Sequence, residues 1–437
     1  MVLETDMNKR DFIKLASKLS LGALTIPRAW SKEVKKNKIR TAHIGVGGMG
    51  FNDLTQISSH PFVEVVGLCD VDSINLKKAH QNHPNARAYS DYRELFYEIG
   101  EKIDAVIVTT PDHTHAPVSL LAMEMGKSVY CQKPLTISIL QARLMEQMAR
   151  ENNLTTQMGI QIRSSYGYKF ATKLIQNGAI GKVKRVEAWS KRKWGFNELE
   201  PKEFDPVPEH LDWNLWLGDA TKIGYIEGRY HPVNWRKMVG FGVGTLGDMG
   251  SHILDTPYNS LKLGDPITIK GMCRQPNGYG YPEKNTVIYK FAKSHFTTEN
   301  FELIWRDGSF KDSDHKDLKL PKARKLAADG AIFIGEKGNL YLPHPGEPKI
   351  FIENEWHDLD KNNIELKNTL RKEKTNHYFQ FIDTCLGKDQ CSTPFSYGSK
   401  LTEIILLGTI ACRFPEMILH WDSKKRSFKE TQANQYL

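Results

Sequence analysis

Three side chains in this sequence have the types and spacing for proton transfer. Asp248 and His252 lie four residues apart in Gly247-Asp248-Met249-Gly250-Ser251-His252. If Leu246–Leu254 is helical, the two share one face. A carboxylate beside an imidazole orients it and raises its pKa, which suits acid–base work near neutral pH. Asp255, three residues further on, is also within reach. A capping Asp and a packed His would give the same local pattern. The third residue is Lys133, at the end of an apolar run and followed by Pro134, which restrains the backbone. Its ammonium could hydrogen-bond a hydroxyl or carbonyl, although a surface Lys in a turn reads identically.

The elements that must position these residues are legible upstream. Ile39–Gly45 reads as a buried strand running into Gly45-Val46-Gly47-Gly48-Met49-Gly50, a GxGxxG, and then a helical pattern through Asn52–Ser58. A second strand, Val63–Cys69, ends in Asp70, 20 residues after Gly50. This is a dinucleotide fingerprint in its strand–turn–helix context. Gly45 permits the turn, Gly47 a close backbone approach to the pyrophosphate, and Gly50 close packing of helix on strand. The helix N-terminus offers N–H groups to the phosphates. Asp70 can accept from the ribose hydroxyls and would repel a 2′-phosphate, which favours NAD over NADP.

The alternation continues with helix Asp91–Ile99, strand Asp104–Thr109, helix Ala116–Met125, strand Ser128–Cys131, helix Ser138–Asn152 and strand Thr155–Gly159. Five strands alternating with helices imply an α/β Rossmann domain, a doubly wound parallel sheet over residues 38–160. Its crevice lies at the carboxyl ends of the strands, near Gly45, Asp70, Thr110, Gln132 and Gln161. From 161 to 437 the order changes: helix Tyr166–Asn177, strand Val183–Ser190, strands near Ile267–Cys273, Asn285–Phe291 and Phe301–Trp305, a turn at Gly335–Tyr341, and helices Thr375–Leu386 and Gly398–Arg413. That pattern predicts a C-terminal α+β domain with a largely antiparallel open sheet. Such a face suits a homodimer or homotetramer.

Between Trp189 and Trp235 aromatic residues are dense: Trp189, Trp194, Trp213, Trp216, Tyr225, Tyr230 and Trp235. Aromatic faces stack on sugar C–H surfaces, and Lys191, Arg192, Lys193 and Arg236 can bond hydroxyls. Core or subunit contacts would use the same residues, and His231, before Pro232, reads as structural. The six cysteines form no CxxC pair and read as free thiols. No metal site is indicated.

The motifs in this order resemble the Gfo/Idh/MocA oxidoreductases over nearly the whole chain after the N-terminal segment. They are Ile44 to Gly50, Cys69-Asp70-Val71-Asp72, Thr110-Pro111 with His115, Lys133-Pro134, and Gly247 to His252. The resemblance implies oxidation of a sugar or inositol hydroxyl, with hydride passing to a nicotinamide cofactor. It makes Lys133, Asp248 and His252 catalytic. It assigns Gly45, Gly47, Gly48, Met49, Gly50, Asp70, Thr110, Pro111, His115, Gln132, Lys133 and Gln161 to the cofactor. Trp194, Trp235 and Arg236 join Lys133, Asp248 and His252 as expected substrate contacts. Gln132 stands where the family commonly has Glu, so it supplies no charge beside Lys133. Two chemistries fit one site: a dehydrogenase releasing NADH, and a redox-neutral glycosidase that retains NAD. A non-catalytic sugar sensor is the third reading.

Charge bears on location. Of the formal +9, residues 1–40 carry +6, and the remaining chain only +3. The body therefore has no basic stripe for nucleic acid. Residues 1–37 read as a signal-like segment and linker: Lys9-Arg10, then a modest apolar stretch Leu15–Ile26 closed by Pro27. It resembles a twin-arginine signal, implying periplasmic export. A cytoplasmic enzyme with an amphipathic N-terminal helix is the other reading. No stretch reaches the roughly 20 apolar residues of a membrane span, so no stable membrane anchor is expected. An exported enzyme without a free NAD pool would have to hold its cofactor tightly.

Overall fold

A computed structural model describes residues 38–309, 320–321, 326–373 and 375–437. The signal-like segment lies outside them. The first half contains β1 Ile39–Ile44, β2 Val63–Cys69, β3 Arg87–Tyr89, β4 Ala105–Val108, β5 Ser128–Cys131 and β6 Thr156–Met158. Between these strands run α1 Met49–Ser58, α2 Ser73–Asn82, α3 Tyr92–Ile99, α4 Asp112–Glu124 and α5 Ile139–Glu151. The strands form one parallel sheet in the order β3-β2-β1-β4-β5-β6. The order reverses at β1, so the crevice between the ends of β1 and β4 is the ligand position of such sheets. The sheet has six strands rather than the expected five. β3 is three residues long and mostly exposed, too short to show a period. Local chemistry sets the helix starts: Asp72, Asp91 and Ser138 each cap a helix by accepting from a backbone N–H.

The second half contains β7 Val183–Ser190, β8 Pro266–Met272, β9 Asn285–Phe291, β10 Thr297–Asp307, β11 Asp329–Gly335, β12 Asn339–Pro343, β13 Lys349–Ile352, β14 Glu355–His357, β15 Ile418–Asp422 and β16 Ser427–Phe428. They form one sheet in the order β14-β13-β12-β11-β7-β10-β9-β8-β15-β16. Pairing is antiparallel except between β7 and β10. The hairpins β11 to β14 extend what the sequence shows only as a turn. Its helices are α6 Tyr166–Gln176, α7 Trp213–Leu217, α8 Gly244–Ile253, α9 Asp255–Ser260, α10 Lys361–Lys372, α11 His377–Cys385 and α12 Phe395–Ala411.

Two late helices return to the first sheet. Phe381 and Ile382 of α11 are buried with Ile39, Ile57 and Tyr130. α12 is apolar on nearly every face because it runs between α5, α8 and β8. Burying each of its Leu and Ile side chains is worth about 1.5–3 kcal/mol. The helix that carries Asp248 and His252 packs on β7, β10 and β11 of the second sheet, and α12 ties it to α5 and β6 of the nucleotide half. Among the described residues no helix is long and apolar enough to cross a membrane, and all six cysteines are free.

Several ionisable groups are buried. Burial pushes His43 down to about 3, and His113, His115, His344 and His377 down to about 4. These groups stay neutral in the fold while the unfolded chain protonates them below pH 6.5. Burial also raises Asp53 to about 6, and Asp112 and Asp307 to about 7. Those carboxyls bind protons in the fold first and oppose the histidine effect. Five histidines outweigh three carboxyls, so thermal melts across pH should show a maximum near neutrality. Stability should fall by roughly 2 kcal/mol per pH unit between about pH 6 and 4.5. A Tm that rises on acidification would show that these histidines are not buried as neutral groups.

Candidate active site

The glycine loop has contacts that only glycine allows at two positions. Gly45 has φ +80°, and a Cβ there would lie 2.5 Å from the Thr109 carbonyl oxygen. A Cβ on Gly50 would lie 2.0 Å from the Gly45 oxygen, so α1 rests directly on the loop. At Gly47 a Cβ would meet the Asn75 side chain, at 2.3 Å from its amide nitrogen. Gly48 is the N-cap of α1 and brings no side chain to it, and Met49 is exposed at the first turn. The Asp70 carboxylate accepts from the N–H of Val46 (2.8 Å) and of Asp72 (2.9 Å), which fixes it beside the loop.

Around the carboxyl ends of β4 and β5, the Oγ1 of Thr110 and Oδ1 of Asp53 are enclosed without a hydrogen-bond partner. Uncapped helix N–H groups, a fixed ribose-type acceptor and orphaned polar atoms fit a dinucleotide. Pro111 is the N-cap of α4. Gln161 is half-buried, with Nε2 3.5 Å from the Tyr130 hydroxyl. His115 is not placed as a cofactor contact. It is 1 % exposed, and its ring nitrogens lie 2.9 Å from the Pro134 oxygen and 2.8 Å from the Thr110 oxygen. It ties two crevice loops together. Gln132 is buried beneath Lys133.

The acid–base residues converge, but not in the expected pairs. Lys133 Nζ donates to Asp248 Oδ1 (2.7 Å) and to the Asp248 carbonyl (2.8 Å). Trp194 Nε1 donates to Asp248 Oδ2 (2.8 Å), and Arg236 Nε lies 3.5 Å from Oδ1. Burial alone would raise the Asp248 carboxyl, but the Lys133 and Arg236 cations outweigh it and hold it well below the carboxylate range. Asp248 thus serves Lys133 rather than orienting His252. Asp255 is also committed elsewhere, to Arg163 (2.8 Å) and the Tyr397 hydroxyl (2.6 Å).

The expected rise in His252 pKa is reversed. Burial first, then the Lys133 ammonium and the neighbouring His344, push it well below 6.5, and the Asp248 carboxylate offsets them only in part. The imidazole is neutral at pH 7. Its Nδ1 is enclosed without a hydrogen-bond partner. Its ring stacks on His344 with centroids 5.5 Å apart, and His344 Nδ1 is hydrogen-bonded to the Tyr168 hydroxyl.

Sequence reasoning missed two members of this centre. Asp112, directly after Pro111, is raised to about 7 by burial, with Arg236 and Lys133 pulling it down. Its signal was an acid just past a strand end. His344 sits between β12 and β13 and had no local signal. Among the described residues no group of three His, Cys, Asp or Glu is placed to hold a metal ion.

The aromatic segment is mostly a small core of its own. Trp213, Trp216, Tyr225, Tyr230, Trp235 and Phe241 pack together, and Trp189 is buried against Tyr341. Trp235 is 4 % exposed and donates Nε1 to the Pro232 oxygen, so it is not a sugar platform. Its ring instead supports the Arg236 guanidinium at 4.2 Å. Trp194 is the aromatic that reaches the centre. This segment is also fastened over the loop after Asp70. Asp72 bonds His231 (3.0 Å) and His210 (3.1 Å), the Ser73 N–H donates to the His210 oxygen, and the Asp212 N–H donates to the Val71 oxygen.

Comparison with known proteins agrees with this geometry. Residues 39–160 match the oxidoreductase family with NAD-binding Rossmann fold, GFO_IDH_MocA. Residues 167–271 match that family's C-terminal alpha/beta domain. The chain is 27 % identical over 146 residues to the inositol 2-dehydrogenase of Salmonella typhimurium, covering 33 % of this chain and 43 % of that one. It is 24 % identical over 227 residues to glycosyl hydrolase family 109 protein 1 of Shewanella sp. MR-4, covering 45 % and 49 %. The matches thus span about half the length of these curated relatives or less. The fold superposes on the WlbA dehydrogenase of Bordetella pertussis, solved with NADH and UDP-GlcNAcA, with TM-score 0.63 and 15 % identity over 88 % of this chain and 99 % of that one. The two matched domains, in this order around this cleft, make the chain a member of the Gfo/Idh/MocA family of NAD-binding oxidoreductases.

Proposed function

We propose that this protein oxidises a secondary hydroxyl of a sugar or glycoside, at C3 in the favoured case, with NAD. The observation that carries this is the Lys133–Asp248 pair, set beside a neutral His252 at the carboxyl end of the nucleotide sheet. NAD, when bound, supplies the hydride acceptor. Neutral His252 takes the hydroxyl proton, and the Lys133 ammonium donates to the oxygen as negative charge develops on it. Asp248, itself held by Trp194 and Arg236, keeps Lys133 aimed. Asp70, fixed by two backbone N–H groups, favours NAD over NADP. The likeness to inositol 2-dehydrogenase and WlbA supports a polyol or sugar substrate.

A second reading is a redox-neutral glycosidase. A transient C3 ketone acidifies C2–H; that proton and the glycosidic group leave, water adds back across the double bond, and the hydride returns to C3. The likeness to a family 109 glycosyl hydrolase favours it. So does the segment fastened over the loop after Asp70, which would slow cofactor release. Export through the basic N-terminal segment would demand that retention.

The test is to purify the protein without added nucleotide and read the denatured supernatant for NAD(H). We expect bound NAD. NADH accumulating when sugars are added marks a dehydrogenase; glycoside cleavage without net NADH marks the cycle. Protein that neither carries nor binds NAD(H) overturns both, and binding of sugar with no product supports a sensor.

A further inference from the structure

Gln132 supplies no charge beside Lys133, but a buried carboxylate lies against it. Gln132 Nε2 donates to Asp53 Oδ2 at 2.8 Å, and the Thr109 hydroxyl donates to the same oxygen at 2.9 Å. Asp53 lies on α1, one turn after Gly50, and is 0 % exposed. The other end of the Gln132 amide faces its own loop, with the Lys133 N–H 3.4 Å from Oε1. The slot for this side chain exists because residue 159 is glycine, since a Cβ there would lie 2.8 Å from the amide.

We propose that Asp53 and Gln132 are a matched pair of positioning residues that couples the glycine-loop helix to the loop bearing Lys133. The argument rests on donor and acceptor inventory. Asp53 brings acceptors only, and its buried Oδ2 takes its two donors from Thr109, just past β4, and from position 132, with the Asn52 and Tyr378 side chains beside the carboxylate. Gln at 132 brings one. Glu at 132 would place two acceptors 2.8 Å apart in a buried slot, and one carboxylate would have to give up its charge or move. The negative charge therefore sits on α1, and residue 132 is its neutral donor. Through this bond the helix that carries the phosphate-binding N–H groups fixes the start of the Lys133 loop. Lys133 Nζ reaches Asp248 from there. This rests on the NAD-binding reading above.

The test is an exchange of the pair. Gln132→Glu should lower the Tm of the nucleotide-free protein and weaken NADH binding, read by fluorescence titration, by roughly tenfold or more, as expected for an unmatched buried polar group. Asp53→Asn alone should be mild, because its amide oxygen still accepts from Thr109 and Gln132. In Asp53→Asn/Gln132→Glu the Asn amide can donate to the new carboxylate. The double variant should recover both Tm and NADH affinity to within a few-fold of wild type. Equal defects in Gln132→Glu and in the double variant would overturn the pairing. Recovery of Tm without recovery of NADH affinity would overturn the positioning role. Failure of the wild-type protein to bind NADH would instead count against the NAD-binding reading, leaving the Tm comparison to judge the pair.

Discussion

Lys133→Ala is expected to lower turnover by about three orders of magnitude or more while leaving the fold intact, and His252→Ala to do the same. In the proposed reaction Lys133 is the donor to the substrate oxygen, and its ammonium is held by two bonds to Asp248. Removing one partner of a buried ion pair ordinarily costs about 3–5 kcal/mol. Here the cost should be smaller, because Trp194 still donates to Asp248 and Arg236 remains 3.5 Å away. Circular dichroism and Tm should therefore stay near wild type while NADH formation or glycoside cleavage, scored over a panel of sugars and inositol, disappears. NADH binding should persist in His252→Ala, since that imidazole faces His344 rather than the glycine loop. Retained activity in both variants would remove Lys133 and His252 from the chemistry.

Gly50→Ala is expected to weaken NADH binding by at least about a hundredfold, because the loop that receives the pyrophosphate cannot keep its shape. The Cβ would be driven to 2.0 Å from the Gly45 carbonyl oxygen, which is backbone and has no rotamer to escape into. Gly45 is itself confined by its φ of +80° and by the Thr109 carbonyl. The strain must move α1 away from β1, and Asp53, one turn along, moves with it. A titration of tryptophan fluorescence with NADH measures the loss. Gly126→Ala, outside the loop, is the control: that residue has φ +72°, but a Cβ there meets nothing within 4 Å. It should cost backbone strain and little more. Equal affinities for Gly50→Ala and wild type would show that the loop does not cradle the nucleotide.

The nucleotide half was readable because its signals are local. Alternating apolar runs, a glycine turn at a strand end and an acid at the end of the next strand are set by neighbours in the chain, and five of the six strands follow from them. β3 escaped because three residues carry no period. In the second half β11 and β12 escaped because runs buried on both faces carry no alternation, and β13 and β14 because strands of four and three residues at the sheet edge carry no period.

At the site, residue identity was legible and partnership was not. Lys133, Asp248 and His252 meet, yet the i, i+4 spacing suggested an Asp248–His252 pair that the fold does not make. A cation from the other sheet, an indole and a guanidinium reach the carboxylate first, and these come from 54 to 115 residues' distance or from the adjacent 3-10 turn. The same holds for Trp235, whose indole could face sugar or core until the aromatic cluster closes around it. Sequence alone determined the sheet of the first half, the nucleotide loop and the set of reactive side chains, because backbone geometry and periodicity act over a few residues. The tertiary structure decided which charge faces which, placed His344 and Asp112 in the centre, and set the Asp53 carboxylate against Gln132. Those outcomes depend on burial and on contacts between distant segments, which no short window of sequence contains.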